Sequence, residues 1–477
     1  MKINRGNTTS IKRKLRIAYI AADVFSAIVT WVFLLLFRWA MNDNREITPD
    51  TFISVFDFYL PLVLYPIGCI FIHYLTGYYV NPYKKNIVTD IVTTIASAFI
   101  ITFAAFFTFI IDDITINHTT FYDSIGALFA LQFSTTVLLR LCVTCRTRNI
   151  IKRGKLTFNV AIIGCNNKAQ SIADEVEGNL FGHKIVGYIK TKYDTKNKIK
   201  NSDIIGNIKN IKLLKSKFNI DSVIISIEDG TNEIALFEII SQLYSCDLEI
   251  QFTPRIYEIL TGTAQIDKLN LSPLVNITES SMPDWQMSIK RLLDILVSAA
   301  SLLVTAPFIL YFGIRIKFDS SGKIFYKQER IGRLGKPFQI IKFRTMYENS
   351  ENGIPQLSKG QDDRVTKYGH FLRKYRIDEI PQFWNVLKGE MSLVGPRPER
   401  SFFIEKITQK APYYCLIYKI RPGLTSWGPI KIGYSDTIEK MIQRLNYDMI
   451  YMDNMSIVTD MKILLYTIEV IIKGKGQ

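Results

Sequence analysis

Arg373-Lys374-Tyr375-Arg376-Ile377-Asp378-Glu379-Ile380-Pro381, a mostly apolar run to Leu387, then Lys388-Gly389-Glu390-Met391-Ser392-Leu393-Val394-Gly395-Pro396-Arg397-Pro398: this stretch concentrates the chemistry of the chain. Pro381 suits the first turn of a helix and Gly389 the residue just past its end. That reading puts Asp378 and Glu379 at or just before a helix N-terminus, where unpaired N–H groups and the helix dipole favour phosphate. Arg373 and Arg376 add cationic forks that match phosphate oxygens. Two carboxylates in so basic a setting are expected to stay ionised, one able to attack phosphorus and the other to hold a magnesium ion. A lone Asp-Glu pair is usually a surface turn. The helix start, the two arginines and the Gly-Pro-Arg-Pro turn together argue for a site.

Outward from this stretch, the 477 residues suggest about three domains. The chain is 48% hydrophobic with a formal net charge of +16. Its apolar runs are long, so membrane embedding is favoured over one large soluble core. The basic balance fits lipid headgroups or nucleotide phosphates. Nucleic acid is disfavoured, because the basic residues flank apolar spans. Four apolar stretches, near Ile17–Phe37, Phe58–Tyr79, Val88–Ile111 and Ser124–Val143, each approach the ~20 residues needed to cross a bilayer. The loops between them alternate in charge. Asp43, Glu46 and Asp50 fill the first, Lys84 and Lys85 the second, Asp112 and Asp113 the third, and Arg146, Arg148, Lys152, Arg153 and Lys155 follow the fourth. This places both ends of the bundle in the cytoplasm. Cys142 and Cys145 form a lone C-x-x-C without the second pair that a zinc site needs.

Residues 157–255 change character. Apolar runs at Val160–Gly164, Ile185–Ile189 and Val223–Ile227 alternate with helical patterns near Lys168–Val176 and Ile234–Leu243, a βαβ pattern that implies a parallel sheet. The first turn, Gly164-Cys165-Asn166-Asn167-Lys168-Ala169, has Asn166 where a dinucleotide fingerprint wants a second glycine. A structural or regulatory domain is expected rather than a working NAD site. Residues 256–284 read as a connector, and 348–361, polar and Gly-rich, as a candidate mobile loop.

From Leu292 to Ile314 nearly everything is apolar apart from Asp294, with Lys290 and Arg291 before and Arg315 and Lys317 after. Pro307 lies inside this run and removes a helical hydrogen bond. A bent helix that enters one leaflet and returns to the same side is expected over 287–314. Lys290 and Asp294, one turn apart, can pair at the interface. Arg330 to Lys336 reads as a basic turn against anionic headgroups. Lys342 and Arg344 alternate, so on a strand they share one face. For the last segment, Ile438–Met452 and Met461–Ile472, core packing and an amphipathic interfacial helix both fit.

The dyad stretch, together with Asp319-Ser320-Ser321-Gly322, Gln328-Glu329-Arg330-Ile331-Gly332, Lys342-Phe343-Arg344-Thr345-Met346 and Arg421-Pro422-Gly423-Leu424-Thr425, resembles the bacterial sugar transferases, polyprenyl-phosphate phosphoglycosyltransferases of the monotopic superfamily. The N-terminal part resembles the large members of that family. The resemblance implies a fold in parts: a membrane α-helical bundle (1–156), an α/β Rossmann-like domain (157–255), the connector, and an α/β, mostly helical catalytic domain (285–477) with a re-entrant membrane helix. It implies transfer of a phosphosugar from a UDP-sugar to undecaprenyl or another polyprenyl phosphate at the cytoplasmic face of the bacterial inner membrane, opening the assembly of a surface polysaccharide. Asp378 would be the nucleophile and Glu379 the Mg²⁺ ligand. Arg373 would hold the transferring phosphate, and Arg397 and Arg344 the nucleotide. Arg376, Lys342 and Arg421 complete the expected substrate-binding set. The large members suggest a homodimer. Ala306 stands where the family often has Ser before the proline, and Arg376-Ile377 where it usually has Ser-Leu. Two other readings stay open: a membrane-bound nucleotide-sugar dehydratase, which needs an intact glycine-rich turn and a helical Tyr-x-x-x-Lys, and a non-catalytic scaffold for glycan-assembly enzymes.

Overall fold

The computed structural model describes residues 5–40, 55–80, 87–110, 118–179, 182–194, 199–226, 233–252, 275–278, 280–348, 350, 356, 362–433 and 436–473. The three inter-helix loops used to orient the bundle, the bulk of the 256–284 connector and most of the 348–361 loop lie outside the described residues, whereas the basic set at 146–155 lies in and just after the fourth helix. The chain forms two compact units, Met1–Thr157 with Asp284–Ile289, and Phe158–Pro283 with Lys290–Gln477.

The first unit is a helical bundle of α1 (Arg5–Ala40), α2 (Val55–Leu75), α3 (Ile87–Ala105, continued by a π-helical turn Phe106–Ile110) and α4 (His118–Lys152). Segments of α1, α3 and α4 are long and apolar enough to cross a membrane. The 21-residue α2 ends at Leu75, before the expected Tyr79. After Leu75 the chain turns through Gly77, whose φ of +75° favours glycine. The bundle interior is polar at one level. Arg140 donates from Nε to Asp23 Oδ1 at 2.7 Å and from Nη1 to Thr94 Oγ1 at 2.9 Å, and its guanidinium lies 3.6 Å from the centre of the Tyr78 ring. Tyr79 donates to Asp23 at 2.6 Å, and Tyr78 and Thr144 donate to Asp90. Buried away from water, these groups satisfy one another across α1, α3, α4 and the turn after α2.

The second unit opens with a six-stranded sheet of order β3-β2-β1-β4-β5-β6. Its strands are β1 (Phe158–Ile163), β2 (His183–Lys190), β3 (Ile204–Asn207), β4 (Ser222–Ile225), β5 (Glu249–Phe252) and β6 (Val275–Asn276). Pairing is parallel throughout except for β6. Every residue of β1 and β4 is buried, as expected for strands covered on both faces. One face packs on α5 (Asn167–Asn179), the other on α6 (Ile211–Phe218) and α7 (Glu233–Tyr244). The three expected strands are β1, β2 and β4, in a parallel sheet as expected, while β3, β5 and β6 were not among them.

The rest of this unit begins within α8 (Asp284–Asp319), a 36-residue helix with Pro307 inside it. It is mostly uncovered: Leu303 is 79% exposed and Phe318 81%. A hairpin follows, β7 (Phe325–Ile331) and β8 (Pro337–Phe343), then α9 (Lys367–Lys374), a 3-10 stretch Ile377–Gln382, α10 (Phe383–Lys388) and β9 (Ser392–Val394). Next come α11 (Ser401–Lys410), a second 3-10 stretch Pro412–Lys419, β10 (Gly423–Thr425) paired in parallel with β9, and helices α12 (Trp427–Ile432), α13 (Ile438–Asp453) and α14 (Ile457–Ile472). Cys415 is buried in the core of the six-stranded sheet domain, with Leu416, Tyr418 and Leu334 packed against it. This corrects the reading of the Arg330–Lys336 turn as a lipid contact. Its Leu334 docks on the sheet domain, and Lys336 faces Asp247 at 3.9 Å. The last helices show both expected behaviours, since Met441, Leu445 and Ile463 are core while Val458, Leu465 and Ile472 are exposed.

Candidate active site

The dyad sits in a tighter turn than the sequence suggested. Thr366 caps α9 by accepting from Gly369 N at 2.9 Å, and α9 ends at Lys374. Arg376 then adopts φ +57°, an uncommon conformation for a residue with a Cβ, costing on the order of 1–2 kcal/mol. This reversal starts the 3-10 stretch, whose first turn holds Asp378 and Glu379. Pro381 lies within that stretch, and α10 begins only at Phe383, so the dyad precedes the α-helix by one 3-10 turn rather than sitting at its first residue. Gly389 closes α10 at φ +87°, as expected for a C-terminal glycine. Ile377 and Ile380 pack against Ile316, Phe343 and Leu372, which fixes the turn to the C-terminal half of α8.

Both carboxylates are 8% exposed. Glu379 Oε1 accepts from Lys342 Nζ at 2.9 Å and from Arg397 Nη2 at 3.2 Å, while Oε2 faces Arg376 Nη1 at 3.3 Å. Burial alone would push the Glu379 carboxyl up, but Lys342, Arg397 and Arg376 outweigh it and hold this group well below the usual carboxylate range. Asp378 goes the other way. Burial raises it more than Lys342, Arg373 and Arg376 lower it, and the neighbouring Glu379 charge adds to the rise. The two carboxyls therefore shift in opposite directions: three cations contact Glu379 directly, and of the pair Asp378 binds a proton the more readily. Lys342 is pushed down by burial and by Arg397, against the pull of Glu379.

A cavity of about 1260 Å³ opens over the dyad. Eleven lysine and arginine residues line it against four carboxylates, Glu348, Asp378, Glu379 and Glu399. The expected residues Lys342, Arg344, Arg373, Arg376 and Arg397 are all among them. Arg373 is steadied by Thr345, which accepts from its Nε at 2.9 Å. Arg344 plays another part than expected. It lies one residue past β8, and its guanidinium donates to the carbonyls of Ser320, at 2.6 Å, and Ser321, closing the C-terminal end of α8. Arg421 does not line the cavity. Its Nε donates to Gly389 O at 3.0 Å and braces the turn after α10.

The flank of α8 also differs from its reading. Lys290 pairs with Asp460 at 2.5 Å and donates to Val394 O at 2.9 Å, while Asp294 accepts from Leu393 N at 2.9 Å. Lys290 and Asp294, expected to pair, still interact through their charges, but their hydrogen bonds go to β9 and α14, because β9 offers both an acceptor and a donor. Arg291 donates to the carbonyls of Val386 and Leu387 at the end of α10. Among the cavity residues outside the expected site set are Arg330, Glu399, Arg400 and Arg444. Glu399 and Arg400 directly follow Gly-Pro-Arg-Pro, a signal that could have found them. Arg444, in the middle of α13, gave none.

In the sheet domain, the turn after β1 has its amides taken by side chains. Cys165 N donates to Asp194 Oδ1 at 3.0 Å, and Ala169 N to Asn166 Oδ1 at 2.8 Å. A carboxylate of the chain itself holds an amide that a dinucleotide phosphate would use. Tyr188 lies on β2 rather than a helix, and Lys192 pairs with Glu238 at 2.7 Å.

Residues 285–474 match the family model described as bacterial sugar transferase. A UDP-glucose:undecaprenyl-phosphate glucose-1-phosphate transferase of Caulobacter vibrioides is 40% identical over 182 residues, which cover 38% of this chain and 68% of that protein. The chain belongs to the bacterial sugar transferase family. A UDP-N-acetylgalactosamine-undecaprenyl-phosphate N-acetylgalactosaminephosphotransferase of Aeromonas hydrophila is 37% identical over 222 residues, 46% of this chain and 52% of that one. A further family relative, the UDP-glucose:undecaprenyl-phosphate glucose-1-phosphate transferase of Escherichia coli (strain K12), is 28% identical over 347 residues, 72% of this chain and 74% of its own. The match to the Aeromonas transferase spans about half of that relative's length.

Proposed function

We propose that this chain transfers a phosphosugar from a UDP-sugar to a polyprenyl phosphate such as undecaprenyl phosphate, giving UMP and a polyprenyl-diphosphate sugar as the opening step of a surface glycan. The observation that carries the reading is the buried Asp378–Glu379 pair under a strongly cationic cavity, inside the segment that matches the family. In the first step an Asp378 oxygen bonds to the sugar-bearing phosphorus, the bond from that phosphorus to the bridging oxygen breaks, and the electron pair leaves with UMP. In the second, an oxygen of the lipid phosphate bonds to the same phosphorus and Asp378 departs as carboxylate. Lys342, Arg373 and Arg376 favour the ionised nucleophile and the charge developing on the phosphoryl oxygens.

Among the described residues no group of three or more His, Cys, Asp or Glu could cage a metal. Mg²⁺ is commonly held by one or two carboxylates plus substrate phosphates, and the dyad fits that donor set. Glu379 would hold the ion with the diphosphate. When bound, Mg²⁺ supplies neutralisation of phosphate charge.

Re-entry of α8 belongs to the same proposal. Lys290 and Asp294 on its first half bond to β9 and α14, and Ile316 on its last half packs with Phe343 and Leu372, all in one compact unit. Helix flanks that bind one unit belong on one membrane face, which the proposal places in the cytoplasm of the inner membrane.

The test is UMP release from a panel of UDP-sugars with purified protein, undecaprenyl phosphate and Mg²⁺. One donor should release UMP, with at least about a thousandfold loss in Asp378→Asn and loss on chelation. No release from any donor by folded protein would refute the reaction. Activity retained by Asp378→Asn would refute the nucleophile.

A further inference from the structure

The cavity has a second basic end. Glu399, 6% exposed, meets Arg330 Nη1 at 3.2 Å through Oε2 and Arg444 Nη2 through Oε1. Arg330 also donates to Pro398 O at 3.1 Å, so the cluster is tied to the Gly-Pro-Arg-Pro turn. After burial, the crowding of Arg397, Arg400 and Arg444 is what pushes the Arg330 guanidinium down against the pull of Glu399. Glu399 thus pairs with two arginines, Arg397 and Arg400 crowd Arg330 from beside it, Arg444 also faces Asp448, and Arg397 also contacts Glu379, so the arginines outnumber the carboxylates. So much positive charge in a partly dry wall is costly unless an anion joins it. Phe403 and Met441 give the same end an apolar side.

We infer that Arg330 and Arg444, held by Glu399, together with the neighbouring cavity residue Arg400 form a second anion subsite that seats the phosphate of the leaving nucleoside monophosphate, apart from the phosphate transferred at the dyad. This rests on the reaction proposed above. Arg397 links the two subsites, as adjacent phosphates of a diphosphate require. The lipid phosphate is assigned to Lys317 and Lys323, which also line the cavity, Lys317 in the last turn of α8 beside the exposed Phe318.

The test uses the full chain in lipid nanodiscs, with UMP and uridine as probes. In wild type, UMP should raise the melting temperature well above the effect of uridine. Arg400→Ala should raise the UMP inhibition constant and the donor KM together by about ten- to a hundredfold, the worth of a charge-assisted phosphate contact. The acceptor KM should stay unchanged, and Arg400→Lys should recover part of the loss. Unchanged UMP constants in Arg400→Ala, or a rise in acceptor KM instead, would overturn the assignment. Should Arg400→Ala not fold, equal stabilisation of wild type by UMP and uridine overturns it without the variant. A wild type that releases no UMP from any UDP-sugar refutes the proposed reaction, a separate result from active wild type with unchanged UMP constants.

Discussion

Replacing Lys342 by Met tests the division of labour in the dyad. Lys342 is the first of the cations acting on both carboxylates, and it contacts Glu379 at 2.9 Å with both side chains largely buried. Its loss leaves Arg397 and Arg376 on Glu379, so the cost in stability should fall short of the about 3–5 kcal/mol for a buried charge left bare, at about 1–3 kcal/mol. The larger effect is on the nucleophile. Asp378 already holds its proton more tightly than an ordinary carboxyl, and an opposite charge at close range lowers a carboxyl by about 1–3 pH units. Without Lys342, the pH at which the dyad ionises should rise by about a unit or more. The assay is a single-turnover burst of UMP without lipid acceptor, followed against pH. The acid limb of the Lys342→Met profile should move to higher pH, with the rate partly recovered under alkaline conditions. Because the two carboxyls titrate together, the limb belongs to the pair. A limb that stays put, or moves to lower pH, refutes the reasoning.

Other predictions follow from buried charges elsewhere. Asp448 is raised from 3.8 to about 6 by burial, against the pull of Arg444. Since the folded state binds this proton more tightly than the unfolded chain, its stabilising share is complete below pH 4 and is lost as the pH rises through about 6. The difference of two pH units is about 3 kcal/mol. Asp448→Asn should therefore melt higher than wild type at pH 8 and alike at pH 4, and a gap that does not grow with pH would exclude this cause. In the bundle, Arg140→Met leaves Asp23 buried without its partner and should cost about 3–5 kcal/mol. The double variant Asp23→Leu/Arg140→Met should recover most of that in denaturation within lipid nanodiscs, and additive losses would show that the pair is not coupled.

The helices, the strands of the sheet domain and the dyad were legible because each follows from local pattern. Apolar runs marked the membrane helices, strand-length runs broken by helical patterns marked the parallel sheet, and Pro381 and Gly389 marked the helix that directly follows Asp378 and Glu379. Side-chain destinations were not local. Arg344 and Lys342 alternate as on one strand face, yet β8 ends between them, so one reaches Glu379 and the other closes α8. Lys290 and Asp294 have the spacing of a helical pair, but β9 supplied nearer partners. Spacing along the chain limits which groups can meet, whereas burial and competing partners select which do. The opposite shifts of the Asp378 and Glu379 carboxyls are the clearest case. Two adjacent carboxylates are alike in the sequence, and they become different only where folding brings Lys342 and Arg397, distant in the chain, onto one of them. The Arg330–Glu399–Arg444 cluster has the same origin, its members being drawn from β7, the segment after β9, and α13.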